Sequence, residues 1–531
     1  MDWSQRFVPA MHLEARFGDR VVPAFCERPN NVWAMIAEAA AANPDGEALV
    51  CGERRMSWRE VAEQSARISA GFRQLGLEPD DRVAVLLGNR IEFALTMFAA
   101  AHAGLVTVLL STRQQKPEIA YVLADCGAKL LVHEAALADR LPAASEMAAV
   151  AHRIAVDDDP RLSRFSVLAD HDPAEPEQVG EEDTAMILYT SGTTGRPKGA
   201  MLAHCNLVHS AMVFVSGLEL TALDRSLAAV PLAHVTGVVA NIMTMARCGG
   251  ALIILPEFKA AEYLKVAARE RITCTLMVPA MYNLCLLQPD FESCDLSCWR
   301  IGGFGGAPMP IATIERLGAK LPGLKLVNCY GATETTSPST MMPGELTAGH
   351  IDSVGLPCPG AVIIAVDAEG RELPRGEIGE IWIHGASVIK GYWNNPKATA
   401  ESFTGGFWHS GDLGSIDEQN FVRVFDRQKD MINRGGLKIY SAEVESVLAG
   451  HPDVVESAII AKPCPVLGER VHAVVVTRGA ATADMLRAWC AERLSDYKVP
   501  ETVDLAAEPL PRNANGKVIK RQLRESLAAR W

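Results

Sequence analysis

The stretch Ala185-Met-Ile-Leu-Tyr-Thr-Ser-Gly-Thr-Thr-Gly-Arg-Pro-Lys-Gly199 decides how this chain is read. Its first four residues are apolar and run as a strand. From Tyr189 to Gly199 the text then packs three glycines (Gly192, Gly195, Gly199), the hydroxyls of Thr190, Ser191, Thr193 and Thr194, and the cations Arg196 and Lys198. Glycine lets a backbone take positive φ and approach an anion closely, the hydroxyls donate hydrogen bonds, and the cations supply charge. The guest this composition fits is a polyphosphate. It is not a Walker loop, because Lys198 is followed by Gly199 where Ser or Thr would hold the metal, and the G-x-x-x-x-G-K spacing is missing.

Working outward, a chain of 531 residues with 49% hydrophobic content exceeds one core and calls for two or more domains. The longest run without a charged residue, Phe93 to Ser111, reads as a buried helix stopped at Gly104 and then a strand over Leu105–Leu110, so no membrane span is expected. Met1-Asp-Trp-Ser-Gln-Arg-Phe7 lacks the basic start and apolar core of a secretory signal. A net charge of −13 argues against nucleic acid or an anionic membrane as partner. Thirteen cysteines without a C-x-x-C pair read as reduced thiols of a cytoplasmic protein, with neither zinc nor disulfides.

From Trp33 to about Leu131, helical patterns alternate with short apolar strands: Ala48–Val50, a helix opened by Ser57 and running to Leu75, and Val83–Leu87. Such alternation predicts a parallel sheet covered by helices. Leu141 to Glu182, rich in Ala, Asp and Pro, reads as a surface connection. The alternation resumes with strands expected at Arg225–Val230, Ala251–Leu255, Thr273–Val278 and Lys325–Val327. Ala361–Val366 and Glu377–Ile383, with turns between them, predict a small antiparallel or barrel-like module. The last hundred residues read as a separate βα unit, with strands at Val454–Ala461 and Val471–Val476, a helix over Ala483–Leu494, and a polar tail. The fold class is therefore α/β: a large N-terminal domain of helix-covered, largely parallel sheets plus the β-rich module, then a small α+β C-terminal domain. The charged segment Arg427-Gln-Lys429 marks the boundary, giving 1–428 and 429–531.

The loop at 189–199 resembles the phosphate-loop signature of the adenylate-forming superfamily, which contains acyl-CoA synthetases, luciferases and the adenylation domains of peptide synthetases. Asn328-Cys-Tyr-Gly-Ala-Thr-Glu-Thr335 is similar to that superfamily's Tyr-Gly-x-Thr-Glu motif, and Gly305-Gly-Ala-Pro308 to its adenine-side loop. The resemblance implies that Gly306, Ala307, Pro308 and the ring of Tyr330 flank adenine, with Gly331 beside them. It implies that Thr333 meets the α-phosphate, that Glu334 holds Mg²⁺ with Thr190 as a further oxygen, and that Ser191, Gly192, Thr193, Thr194, Gly195 and Lys198 hold the phosphates. Trp408-His-Ser-Gly-Asp412 resembles a Thr-Gly-Asp motif whose aspartate takes the ribose hydroxyls, and Asp426-Arg427-Gln-Lys429-Asp430 resembles Gly-Arg-x-Lys-Asp, with Arg427 on ribose or phosphate and Lys429 at an interdomain hinge. Gly435-Gly436 and the run to Glu445 resemble the segment beside which the pantetheine arm of CoA passes. Asp426 stands at that family's glycine and Ser441 at its proline. Pro511-Arg-Asn-Ala-Asn-Gly-Lys517 resembles the catalytic lysine motif, and Pro231-Leu-Ala-His234-Val-Thr-Gly237 the segment lining the acyl side, where Ala233 replaces a usual aromatic.

The resemblance implies an ATP- and Mg²⁺-dependent carboxylic acid:CoA ligase that forms an acyl-adenylate, releases pyrophosphate, and passes the acyl group to CoA. No protein nucleophile is needed for that chemistry, in keeping with the lack of a Gly-x-Ser-x-Gly elbow or a convincing Cys/His pair in the sequence. The expected pocket walls, Val208–Val215, His234–Val238 and Ile301–Gly305, are mostly apolar and favour a fatty or aromatic acid. A stand-alone adenylation enzyme loading a carrier protein is the alternative. The expected partners are the acid, ATP and CoA, with no nucleic acid and no integral membrane association, and a homodimer stays open.

Overall fold

The computed structural model describes residue 3 and residues 8–157, 163–190, 196–307, 309–512 and 518–528. The expectations for Ser191, Gly192, Thr193, Thr194, Gly195, Pro308 and Lys517 thus lie outside the described residues. The chain divides into two compact units: Met1–Gly306, Leu317–Ile363 and Ile383–His409 form one, and Ala307–Arg316, Ile364–Trp382 and Ser410–Trp531 the other.

In the first unit a seven-stranded sheet runs Lys198–Ala203, Thr184–Thr190, Val106–Leu109, Arg82–Leu86, Leu130–His133, His152–Ala155, Ser163–Arg164. All its pairings are parallel except the first, where the strand entering the glycine-rich loop meets the strand leaving it. A nine-stranded sheet runs Leu356–Pro357, Thr340–Met341, Lys325–Tyr330, Ile301–Gly305, Cys274–Met277, Arg225–Ala228, Ala251–Ile254, Glu47–Cys51, Arg54–Ser57. Its six inner strands are parallel, and antiparallel strands close its margins.

The helix Ile91–His102 buries every residue but Glu92, so it has no solvent face. Its Phe93 and Phe98 join Val83 and Val85 of the smaller sheet and Leu49 and Leu252 of the larger in one core, each such side chain worth about 1.5–3 kcal/mol on burial. Gly104 then takes φ +69°, the left-handed conformation that ends the helix without a Cβ clash. Ser57 opens the helix Trp58–Gln74 through a reciprocal pair of bonds with Glu60.

Three expectations change. The stretch 141–182 is not merely a connection, since His152–Ala155 extends the seven-stranded sheet in parallel and buries Ile154 and Ala155; four residues were too short to signal a strand against polar flanks. A hairpin, Met11–Arg16 with Arg20–Phe25, precedes the first element read from the sequence. The polar tail is a helix, Lys520–Ala528, that buries Leu523 and Leu527 four apart on one face.

In the second unit, the strand Phe407–Ile416 contributes Asp412–Ile416 to an antiparallel pairing with Val422–Arg427. The C-terminal sheet sets Gly468–Thr477 antiparallel to Val454–Cys464 and to Ile432–Arg434, and parallel to Thr502–Ala506. Ile432, Ile439, Val444, Leu448, Ile459, Val471, Val475 and Leu486 form its core. The margin strand Lys198–Ala203 of the seven-stranded sheet is overlaid by residues 391–393: Met201 N–H donates to Gly391 O at 3.1 Å and Trp393 N–H to Gly199 O at 2.7 Å.

Candidate active site

Residues flanking the glycine-rich loop are pinned from outside it. Tyr189, at the end of the incoming strand, donates its hydroxyl to Asp125 at 2.5 Å, and burial followed by that bond pushes its own ionisation far upward. Beyond the loop, Pro197 O accepts from the Tyr121 hydroxyl at 3.2 Å, and the Arg196 guanidinium lies 5.5 Å over the Tyr121 ring.

Thr190 and Lys198 face each other across the two strands. Glu334 comes to the same place from another element. It sits in the short turn Thr333–Thr335 that follows the strand Lys325–Tyr330. Thr190 Oγ1 donates to Glu334 Oε1 at 3.1 Å, and the Tyr392 hydroxyl donates to the same Oε1, also at 3.1 Å. Burial first, then the charge of Glu334, raises Tyr392 above its usual range, so it stays a donor at neutral pH. The Lys198 ammonium lies 4.9 Å over the Tyr392 ring. Among the described residues no donor reaches Glu334 Oε2, so a carboxylate only 8% exposed keeps one oxygen free. A free anionic oxygen beside a threonine hydroxyl is a donor set for a hard cation that keeps water and phosphate in its shell, which fits Mg²⁺.

Glycines allow close approach at two points. A Cβ on Gly305 would lie 2.3 Å from Cys329 O, so the Gly305-Gly306 corner packs against the strand leading to Tyr330. A Cβ on Gly237 would lie 2.3 Å from Pro231 O, and this contact folds the His234 segment onto itself. Thr236–Met243 continues as a π-helix, a wide winding often found at functional sites.

His234 Nδ1 accepts the Thr236 N–H at 3.3 Å and lies 3.1 Å from Thr236 Oγ1. Burial alone lowers its pKa to about 4, so the ring is neutral at pH 7. With Nδ1 accepting, the proton sits on Nε2, which is left as a donor among the described residues.

The second unit holds Asp412, Arg427, Lys429, Gly435 and Gly436. Asp412, 5% exposed, pairs through Oδ1 with Arg427 Nε at 2.7 Å, directly across the strand pair. Arg427 Nη1 donates to Ser410 O at 3.1 Å. Lys429 lies just after this pair, its pKa lowered by burial and then by Arg427, Arg524 and Arg521, with Asp430 opposing. Gly435 and Gly436 make the turn between Ile432–Arg434 and Leu437–Ile439 with φ of +59° and +92°.

The two departures from the family pattern meet. Asp426 accepts the N–H of Ser441 as well as that of Arg427. A proline at 441 has no N–H to give and a glycine at 426 no carboxylate to receive it, so the two exchanges form one contact. Lys520 adds to it by donating to Ser441 Oγ and pairing with Glu445 at 2.7 Å. Sequence reasoning missed this link, and it missed Tyr392, for which no motif spacing gave a signal.

Residues 36–393 match the family model described as AMP-binding enzyme, and residues 443–517 match its C-terminal domain. The chain belongs to the AMP-binding enzyme family. Feruloyl-CoA synthase of Amycolatopsis sp is 36% identical to it, over 91% of this chain and 96% of that one. The long-chain-fatty-acid–CoA ligase of Mycobacterium tuberculosis is 32% identical, over 94% and 99%. Among solved structures, o-succinylbenzoate CoA synthetase from Bacillus subtilis with its acyl-adenylate intermediate superposes with a TM-score of 0.84 at 30% identity, covering 94% of this chain and 98% of that one. The same enzyme with ATP and magnesium ion gives 0.82 at 30% identity, covering 92% and 99%. With its family, this chain is an adenylate-forming, α/β acid–CoA ligase. Among the described residues no helix is long and apolar enough to cross a membrane.

Proposed function

We propose that this ligase condenses a fatty or aromatic carboxylic acid with ATP through the loop 189–199, Glu334 and Lys517, and then transfers the acyl group to CoA. The observation that supports it most is the Thr190–Glu334–Tyr392 cluster, in which two neutral donors share one carboxylate oxygen and leave the other free. Glu334 and Thr190 would hold Mg²⁺, which supplies Lewis-acid neutralisation of phosphate charge when bound.

Each protein group then has a task. Lys198, beside Tyr392, would face the phosphates, and Lys517 would add a second cation as pyrophosphate leaves. His234 Nε2–H is placed by the Thr236 contacts to hold an acid carboxylate oxygen, and its neutral ring does not compete with magnesium for that charge. Asp412, backed by Arg427, has lone pairs suited to a ribose diol. Val208, Ala211, Met212, Val235 and Val238, all buried, supply apolar wall. The relatives named above act on an aromatic acid and on a long-chain fatty acid, and both suit such a wall. The turn at Gly435-Gly436 would border the pantetheine arm, and Lys429 would be the pivot between the half-reactions.

The test is a panel of fatty, benzoic and cinnamic acids assayed for AMP and pyrophosphate with and without CoA. Turnover with CoA on fatty or aromatic acids is expected. Adenylate formation without any CoA-dependent thioester would instead favour a carrier protein as acceptor, the activity named for a fatty acid–[acyl-carrier-protein] ligase of Streptomyces coeruleorubidus that is 31% identical. Lys517→Ala is expected to abolish pyrophosphate exchange and to spare thioester formation from supplied acyl-adenylate. Equal loss of both would refute the role given to Lys517.

A further inference from the structure

The hairpin Met11–Arg16 with Arg20–Phe25 carries a constellation that ligation does not use. Its antiparallel register sets Met11 opposite Phe25, and the next residue, Cys26, donates its N–H to Ala10 O at 2.8 Å. Side chains alternate along a strand, so residues 12 and 14 share a face with the residue opposite position 10. His12, Glu14 and Cys26 therefore project from one side of the hairpin. His12 Nδ1 lies 3.1 Å from Cys26 Sγ, and His12 Nε2 is hydrogen-bonded to the Glu14 carboxylate. Thiol, imidazole and carboxylate follow one another in the order by which a base activates a nucleophile and is itself oriented by a third group. The pair was not visible in the sequence because His12 and Cys26 are fourteen positions apart and meet only across the strands.

The charged groups around the ring fix it. Glu14 is also bonded by Arg28, through Nη1 at 2.8 Å, and by Arg16. Burial works against ionisation of Glu14, but the Arg28 bond and then the charge of Arg16 outweigh it and hold the carboxyl below its usual range. Arg28 and Arg16 are braced in turn by Glu181, and Arg16 lies 3.7 Å from Glu182. Glu14 is thus an anchored anion toward which Nε2–H points, leaving Nδ1 to receive the thiol proton. Access distinguishes this thiol from the rest. Cys26 is exposed while the other twelve cysteines are buried or intermediate, and the His12 side chain is 50% exposed.

We propose that Cys26 is a nucleophilic thiol, activated by His12, that accepts acyl groups from acyl thioesters, the product class of this ligase. The Cys26 proton passes to His12 Nδ1 and the sulfur attacks the thioester carbonyl. A new carbon–sulfur bond forms, the bond to CoA breaks, and the departing CoA sulfur takes the proton back from His12. One thioester is exchanged for another, so no oxidant or reductant enters.

The experiment adds acetyl-CoA or benzoyl-CoA to the full-length protein at pH 7.5 and follows intact mass and peptide masses, so that ligase turnover is not required. One acyl group per chain is expected on Cys26, released by neutral hydroxylamine and absent in Cys26→Ser. The rate should exceed that of N-acetylcysteine at equal concentration at least tenfold, and should fall at least tenfold in His12→Gln. A wild-type rate no higher than that of N-acetylcysteine overturns the proposal without any variant. An unchanged rate in His12→Gln, or an acyl group mapped to another residue, overturns it as well.

Discussion

Glu334 and Asp412 are both nearly buried carboxylates, yet they are held by opposite kinds of partner. Glu334 takes two neutral hydroxyls on one oxygen, whereas Asp412 faces a guanidinium at 2.7 Å. Among the described residues the hydrogen bonds to Glu334 come from neutral hydroxyls, which leave the anion's charge in place, and an outside cation is the partner proposed for it. Asp412 already has a cation beside it, and the role proposed for it is to accept from neutral donors. Partner type, more than depth of burial, separates the metal-holding role proposed for Glu334 from the sugar-holding role proposed for Asp412.

The largest effect should come from Glu334→Gln, which keeps shape and removes charge. Pyrophosphate exchange is expected to fall about a thousandfold while the melting temperature moves by only a few degrees. The magnesium concentration for half-maximal rate should rise in this variant. Asp412→Asn comes next, with the ATP KM raised about ten- to a hundredfold, the range for one lost charge-assisted contact, and the magnesium dependence untouched. Should Asp412→Asn shift the magnesium dependence instead, the contrast between the two carboxylates fails.

Acid stability extends the comparison to groups that lack any charged partner of strength. His102, His204 and His209 are all buried and lowered from 6.5 to about 4, chiefly by burial. Because the folded pKa lies below the unfolded one, their contribution is present above pH 6.5 and is lost as pH falls toward 4. Each should cost on the order of 1–2 kcal/mol between pH 7 and pH 5, read as a drop in melting temperature over that interval. A melting temperature flat between pH 7 and pH 5 would contradict this. The smallest effect belongs to Tyr392→Phe, which deletes one of the two neutral donors. About 0.5–1.5 kcal/mol is at stake, so pyrophosphate exchange should slow roughly two- to tenfold, and a loss as large as that of Glu334→Gln would mean the hydroxyl does more than position the carboxylate.

Much of the architecture could be read from period and punctuation. Ser57 announced a helix start, Gly104 a helix end, and the alternation of apolar runs the parallel sheets. Elements of two to four residues escaped, among them His152–Ala155, because their pairing energy comes from neighbours far along the chain. In the candidate site, Thr190 pairs with Lys198 across two strands and is hydrogen-bonded to Glu334 from another motif. Tyr392 did not announce itself, since its role depends on a crossing of residues 391–393 over the strand 198–203 that no local pattern encodes. Asp426 and Ser441 illustrate another limit. Each was a single exchange in the sequence, at a glycine and at a proline position, and only the fold makes them acceptor and donor of one bond.

That crossing of residues 391–393 has a consequence for how the protein behaves in a crowded solution. A strand at the rim of a sheet offers unpaired amide groups to any passing chain, and a glycine-rich loop gives it little steric defence. Here Gly391 and Trp393 occupy the rim of Lys198–Ala203, and the Trp393 indole is tied back to Asp125 O at 3.1 Å. The same tryptophan thereby acts as a guard against edge-to-edge aggregation.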